Sequence, residues 1–156
     1  MERNARAKLD RALLAGERDT RHAEVTLSFD GRTRTERAAC EGPGTPADLR
    51  AVARATIGAA RSLSDERFSG VVQLADVTEV CGAEFAIVNA MLYAGGRSVP
   101  VLGSCLLRGD VAVAAARATL DAVNRWLDLS LHGYDLEGFD ELEAFGSASG
   151  GGTPGA

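Results

Sequence analysis

Few side chains in this 156-residue sequence are equipped for chemistry, and their spacing assembles no familiar catalytic set. The two histidines, His22 and His132, each fall at an element boundary, with no acid or nucleophile that spacing places beside them. The cysteines are Cys40, Cys81 and Cys105, odd in number and without metal-ligand spacing. Cys40 and Cys105 precede helices, where a thiolate can be stabilised, yet small core-facing thiols explain them more simply. Gly42-Pro43-Gly44-Thr45 stands ahead of a helix and offers free amides to an anion. It lacks the lysine and the full spacing of a phosphate loop, so a plain helix start accounts for it. Arg32, Arg34 and Arg37 make one strand basic, which is how an edge strand is guarded by charge as well as how a phosphate is met. Asp76 and Glu79 are close in sequence, but nothing places a substrate between them.

The elements that must position these groups are clearer. Val99 to Leu127 reads as a strand, a turn and one amphipathic helix. Asp110 is a good N-cap, because its carboxylate accepts from the first-turn amides and favours the positive helix end. Val111, Ala114, Ala115, Ala118, Ala122, Trp126 and Leu127 then recur at three- and four-residue spacing on one face. So much alanine on the buried stripe predicts close approach to a flat partner, a sheet. A second helix is predicted from Thr45, a candidate cap, with Pro46 at the first turn, to about Leu63. Strands are predicted at Val25–Phe29, weakly at Arg32–Cys40, then at Val71–Val80, Glu84–Tyr93 and Val99–Leu106, with turns at Asp30-Gly31, Cys81-Gly82 and Gly95-Gly96. Met1 to about Gly16 reads as a short polar helix with Leu9, Leu13 and Leu14 as its apolar points.

The helical unit has an earlier copy. Gly31-Arg32-Thr33 matches Gly96-Arg97-Ser98, and Cys40 matches Cys105, both at an offset of 65 residues. Arg54-Ala55-Thr56-Ile57 matches Arg117-Ala118-Thr119-Leu120 at an offset of 63. The two-residue change falls in a loop, where insertions belong. The predicted fold is therefore α+β: an antiparallel sheet with two main helices packed on one face, built from a duplicated strand-hairpin-helix unit. The expected organisation is an N-terminal helical extension over 1–20, one domain over 21–132 with repeats at 21–63 and 68–128, and an acidic, glycine-rich disordered tail over 133–156. Strand segments such as Phe85-Ala86-Ile87-Val88 are apolar on both sides, so both sheet faces should be covered, most naturally in a homodimer.

Net charge is −5, and the excess acid lies in the tail, so the body is near neutral and a nucleic-acid partner is disfavoured. Apolar runs are too short and interrupted for a membrane span or signal peptide. Free thiols fit a reducing cytoplasm. Nothing calls for a metal or cofactor.

These residues resemble the C-terminal regulatory and dimerisation domain of 2-isopropylmalate synthase, as a stand-alone relative lacking the catalytic barrel. The likeness is carried by Leu74-Ala75-Asp76-Val77-Thr78 leading to Gly82, the Gly95-Gly96-Arg97 hairpin, Gly103, Gly109-Asp110-Val111 and the run Ala115 to Arg125. A weaker copy lies in Ala23–Leu27, Asp30-Gly31 and Gly42 to Asp48. In that family the stretch between strands, Gly-Thr-Asp-Ala-Gln-Gly, helps form the feedback amino-acid site; here Val80-Cys81-Gly82-Ala83-Glu84-Phe85 replaces it. The resemblance implies a non-catalytic, allosteric module that binds an amino or keto acid. Its site would combine Gly42, Gly44 and Thr45 with Val80, Cys81, Gly82, Ala83 and Glu84, and with Gly109 and Asp110, where repeats or subunits meet. The alternative is a structural or adaptor protein that docks to another protein through its sheet or acidic tail.

Overall fold

The computed structural model describes residues 6–132. The elements follow in the order β1 (Lys8–Ala15), β2 (His22–Phe29), β3 (Arg32–Ala39), α1 (Thr45–Leu63), β4 (Ser69–Val80), β5 (Ala83–Ala94), β6 (Arg97–Leu106) and α2 (Val111–Leu131). A 3-10 turn at Arg18–Thr20 joins β1 to β2. The chain is α+β, with a three-strand-plus-helix unit used twice and every strand pair antiparallel.

The ladders carry the repeat at residue level. Phe29 lies opposite Arg32, and Ala94 opposite Arg97, so the 65-residue offset between the two glycine turns sets both hairpins in the same register. The Cys40 amide donates to the Arg21 carbonyl at 2.9 Å, while Cys105 lies opposite Ala86, again 65 residues on. In the helices, Thr56 and Thr119 are both fully buried, and each Oγ1 donates to the carbonyl four residues back, Val52 and Ala115, at 2.7 Å. A buried hydroxyl needs such a partner, and the carbonyl one turn behind is the one always within reach.

The strands divide between two sheets, β1-β2-β3 and β4-β5-β6, rather than forming one common layer. Each sheet turns one face to the helices. Ala23, Val25, Leu27 and Phe29 of β2 are buried on that side, as are Ala86, Val88, Ala90 and Leu92 of β5. Helix α1 packs on β2 and β3 and reaches across to β4; α2 packs on β5 and β6 and reaches across to β1; and the helices pack on each other. The helices are therefore the shared centre, which is why their alanines are buried over so much of the circumference. Contact is closest at Gly103 of β6, where a Cβ would collide with the Ala118 carbonyl oxygen and the Ala122 amide nitrogen of α2.

The predicted N-terminal helix is corrected: Lys8–Ala15 is strand β1, and the first repeat begins there instead of at residue 21. A bulge between Leu9 and Arg11 explains the misreading. One extra residue breaks the two-residue alternation between Leu9 and Ala12, and the leucines left at 9, 13 and 14 have the spacing of a helix face. Thr45 is the first residue of α1, not its cap; Gly44 holds that position. The tail assigned to 133–156, and residues 1–5, lie outside the described residues.

Candidate functional site

The proposed site residues fall into two places, one in each repeat. Gly42, Gly44 and Thr45 line a cleft of about 600 Å³ at the amino end of α1, together with Arg18, Asp19, Arg21, Cys40, Pro43 and Asp48. Val80, Cys81, Gly82, Ala83, Glu84, Gly109 and Asp110 are not part of it. Those belong to the equivalent end of the second repeat. There Cys81 and Gly82 take positive φ angles of 51° and 79° in the β4–β5 turn, and the Glu84 carbonyl accepts from the Leu107 amide at 2.8 Å.

The two helix starts differ in a way that decides which is open. Asp110 Oδ1 accepts from the Ala112 and Val113 amides at 2.9 and 3.3 Å, so α2 is capped by its own chain. Gly44, with φ of 92°, has no side chain and caps nothing at α1. Its positive φ, like that of Gly42 at 99°, suits glycine and lets the backbone fold tightly ahead of the helix. The cleft thus lies against the positive end of a helix whose first-turn amides have no side-chain cap. Asp110, a ligand-binding candidate, has its Oδ1 engaged as the expected cap of α2.

Beside that helix start, Arg21 Nε and Nη2 donate to Asp48 Oδ1 and Oδ2 at 2.8 and 2.9 Å, a two-bond fork. The hydrogen bond to Asp48, then its charge, raises the Arg21 pKa further above its ordinary value. Burial, followed by the neighbouring Asp48 carboxylate, pushes the Cys40 thiol up, so Cys40 is held protonated. A thiol kept in that form is a poor nucleophile. Next to the cleft, Arg54 Nη1 donates to Glu41 at 2.8 Å and Nη2 to the Ala39 carbonyl, which holds Glu41 below the usual carboxylate range. The cleft is therefore lined by an uncapped helix start, two arginines and two carboxylates.

The other polar candidates have structural employment. His22 Nδ1 lies 3.0 Å from the Thr20 carbonyl, and the His132 ring meets Phe29 edge-on at 5.9 Å. Asp76 and Glu79, three apart on a strand, point to opposite faces, and Asp76 accepts from the Val77 amide at 2.8 Å. Arg37 faces outward onto Glu24 at 2.7 Å, whereas Arg32 and Arg34 lie on the other face of β3, so the three form no single basic stripe. Among the described residues no group of three or more His, Cys, Asp or Glu gathers to hold a metal, and no helix is long and apolar enough to cross a membrane.

Arg18, Asp19, Arg21 and Asp48 were not legible as site residues in the sequence. Arg21 and Asp48 are 27 positions apart and only the fold joins them. The single available hint was the acid in the first turn of a helix whose cap position is glycine.

Comparison with protein-family models and with curated proteins finds no match to this chain.

Proposed function

We propose that this chain is a non-catalytic regulatory module that binds a small amino or keto acid and dimerises, related to the 2-isopropylmalate synthase regulatory domain. The observation that carries the reading is the cleft at the uncapped start of α1. A carboxylate there would meet the uncapped helix start at Thr45 and the Arg18 guanidinium, and an ammonium group would meet Asp19 or the Arg21-paired Asp48. The twice-used three-strand-plus-helix unit agrees with the resemblance noted from the sequence. Three free cysteines fit a reducing, cytoplasmic setting.

The test is thermal shift and calorimetry across amino and keto acids, on the native chain and on Arg18→Gln. One compound class should raise Tm saturably in the native chain and lose at least about tenfold in affinity in the variant, ~1.4 kcal/mol. Flat responses across the panel, or equal affinity in Arg18→Gln, would overturn it.

A specific observation also favours protein docking through the sheet. The outer face of β1-β2-β3 satisfies itself: Glu24 meets Arg11 and Arg37, Thr26 meets Thr35, and Ser28 meets Asp10. The outer face of β4-β5-β6 instead exposes Val71 (56%), Leu74 (50%) and Leu102 (66%), with Tyr93 at its end. At the middle of its central strand Asn89 stands between Leu74 and Leu102, its Oδ1 buried and without a partner. A second copy suits this surface, since about a two-fold axis each apolar row meets the other's and Asn89 can turn to meet its equivalent. Docking of a different protein is the adaptor alternative, and the oligomeric state of the isolated chain separates the two.

A further inference from the structure

The outer face of β4-β5-β6 is not flat, and its relief runs along the central strand. At one end a hollow of about 400 Å³ opens between Thr78, Val80, Phe85, Ile87, Leu102 and Ser104. At the other end Tyr93 stands out, 45% exposed. Asn89 lies midway, with Phe85 four positions before it on β5 and Tyr93 four after, all three on the outer side of the strand. We infer that two copies pack face to face about a two-fold axis that crosses the strands at Asn89, so that Tyr93 of each fills the hollow of the other. This arrangement rests on the reading that the face joins two copies, and it adds their orientation and their anchor.

Shape supports it first. A two-fold axis across the strands exchanges the positions before and after Asn89, so knob meets hollow twice in one interface. An axis along the strands would set hollow against hollow and leave a void, whose walls lose their contacts. A tyrosine ring seated in an apolar hollow beside a phenylalanine is also the kind of anchor that carries much of an interface's free energy. The orphaned Asn89 is the second support. Its Oδ1 is buried without a partner, and a second Asn89 on the axis brings the amide N–H that satisfies it. Two asparagine side chains joined by a hydrogen bond of about 3 Å span the ~10 Å between stacked sheets. Charge does not oppose the contact. Among the outer positions paired along the three strands Asp76 alone is charged, and it stands at the rim on edge strand β4. The size suffices as well. Three strands of 10 to 12 residues give a face of about 500 Å² per copy, so a pair buries about 1,000 Å², where specific interfaces begin.

Sedimentation equilibrium and cross-linking test the arrangement. Tyr93→Ala should weaken dimerisation at least about tenfold, with circular dichroism unchanged because the position is exposed. The orientation is read separately, from chains that keep the ring. On β4, Ser69 lies opposite Tyr93 and Thr78 opposite Phe85, so the axis brings Ser69 of one copy over Thr78 of the other. A mixture of Ser69→Cys and Thr78→Cys chains should therefore join at these two positions through a thiol-reactive linker of about 10 Å, the spacing of stacked sheets, as identified by peptide mass. An axis along the strands would set β4 against β6 of the other copy and give no such link. A dimer that forms no such link, or that Tyr93→Ala leaves at native affinity, would overturn this arrangement and leave the dimer reading standing. A native chain that sediments as a monomer would overturn both.

Discussion

Cys40 shows how one residue's chemistry is set by what surrounds it. A cysteine near a helix start is the kind of place where a thiolate is favoured, yet burial and Asp48 push this thiol up. Alkylation of Cys40, followed by peptide mass analysis against pH, should therefore have its midpoint above that of free cysteine. Asp48→Asn should move the midpoint down, because it removes the carboxylate and releases Arg21; an unchanged profile would refute this. Glu41 behaves in the opposite sense. Its folded-state pKa is depressed by Arg54, so its contribution to stability is present above the ordinary carboxylate range and lost as pH falls through the folded value. Glu41→Gln should accordingly narrow the difference in Tm between neutral and mildly acidic pH. Neither effect is readable from the residues' types, since both depend on partners brought in by the fold.

At the scale of elements, the two helices differ at their starts more than along their lengths. Asp110→Ala removes the acceptor for two amides and should cost about 1 kcal/mol, measured by denaturant unfolding. The equivalent start of α1 has no such side chain to lose, which leaves it available to a ligand. Between β6 and α2, Gly103→Ala should destabilise by about 3 kcal/mol, because the colliding atoms are helix backbone and cannot move aside cheaply. Unfolding at unchanged denaturant midpoint would contradict that contact. The helices, the hairpin turns and the 65-residue offset were all readable, because caps, glycine turns and apolar periodicity are local signals. Strand β1 was not, because its bulge replaced the alternation by which a strand is recognised.

For the whole molecule, the contrast between the two outer sheet faces is the main asymmetry of an otherwise repeated design. If the apolar face of β4-β5-β6 is where two copies meet, Leu102→Asp should turn a dimer into a monomer in sedimentation equilibrium without altering the circular dichroism. An acid on the outer face of the other sheet, Thr35→Asp, should leave assembly alone. A native chain that sediments as a monomer would remove the dimer reading. The sequence by itself determined the α+β class, the antiparallel hairpins, both helix faces and the duplication, because each follows from short-range pattern. Only the tertiary structure decided that each repeat keeps its own sheet, that the alanine-lined helices are shared between them, and which charged residues meet. Strand edges carry no mark of which neighbour they will bond, and pairs such as Arg21 and Asp48, or Arg67 and Ser130, become neighbours only after the chain has closed on its core.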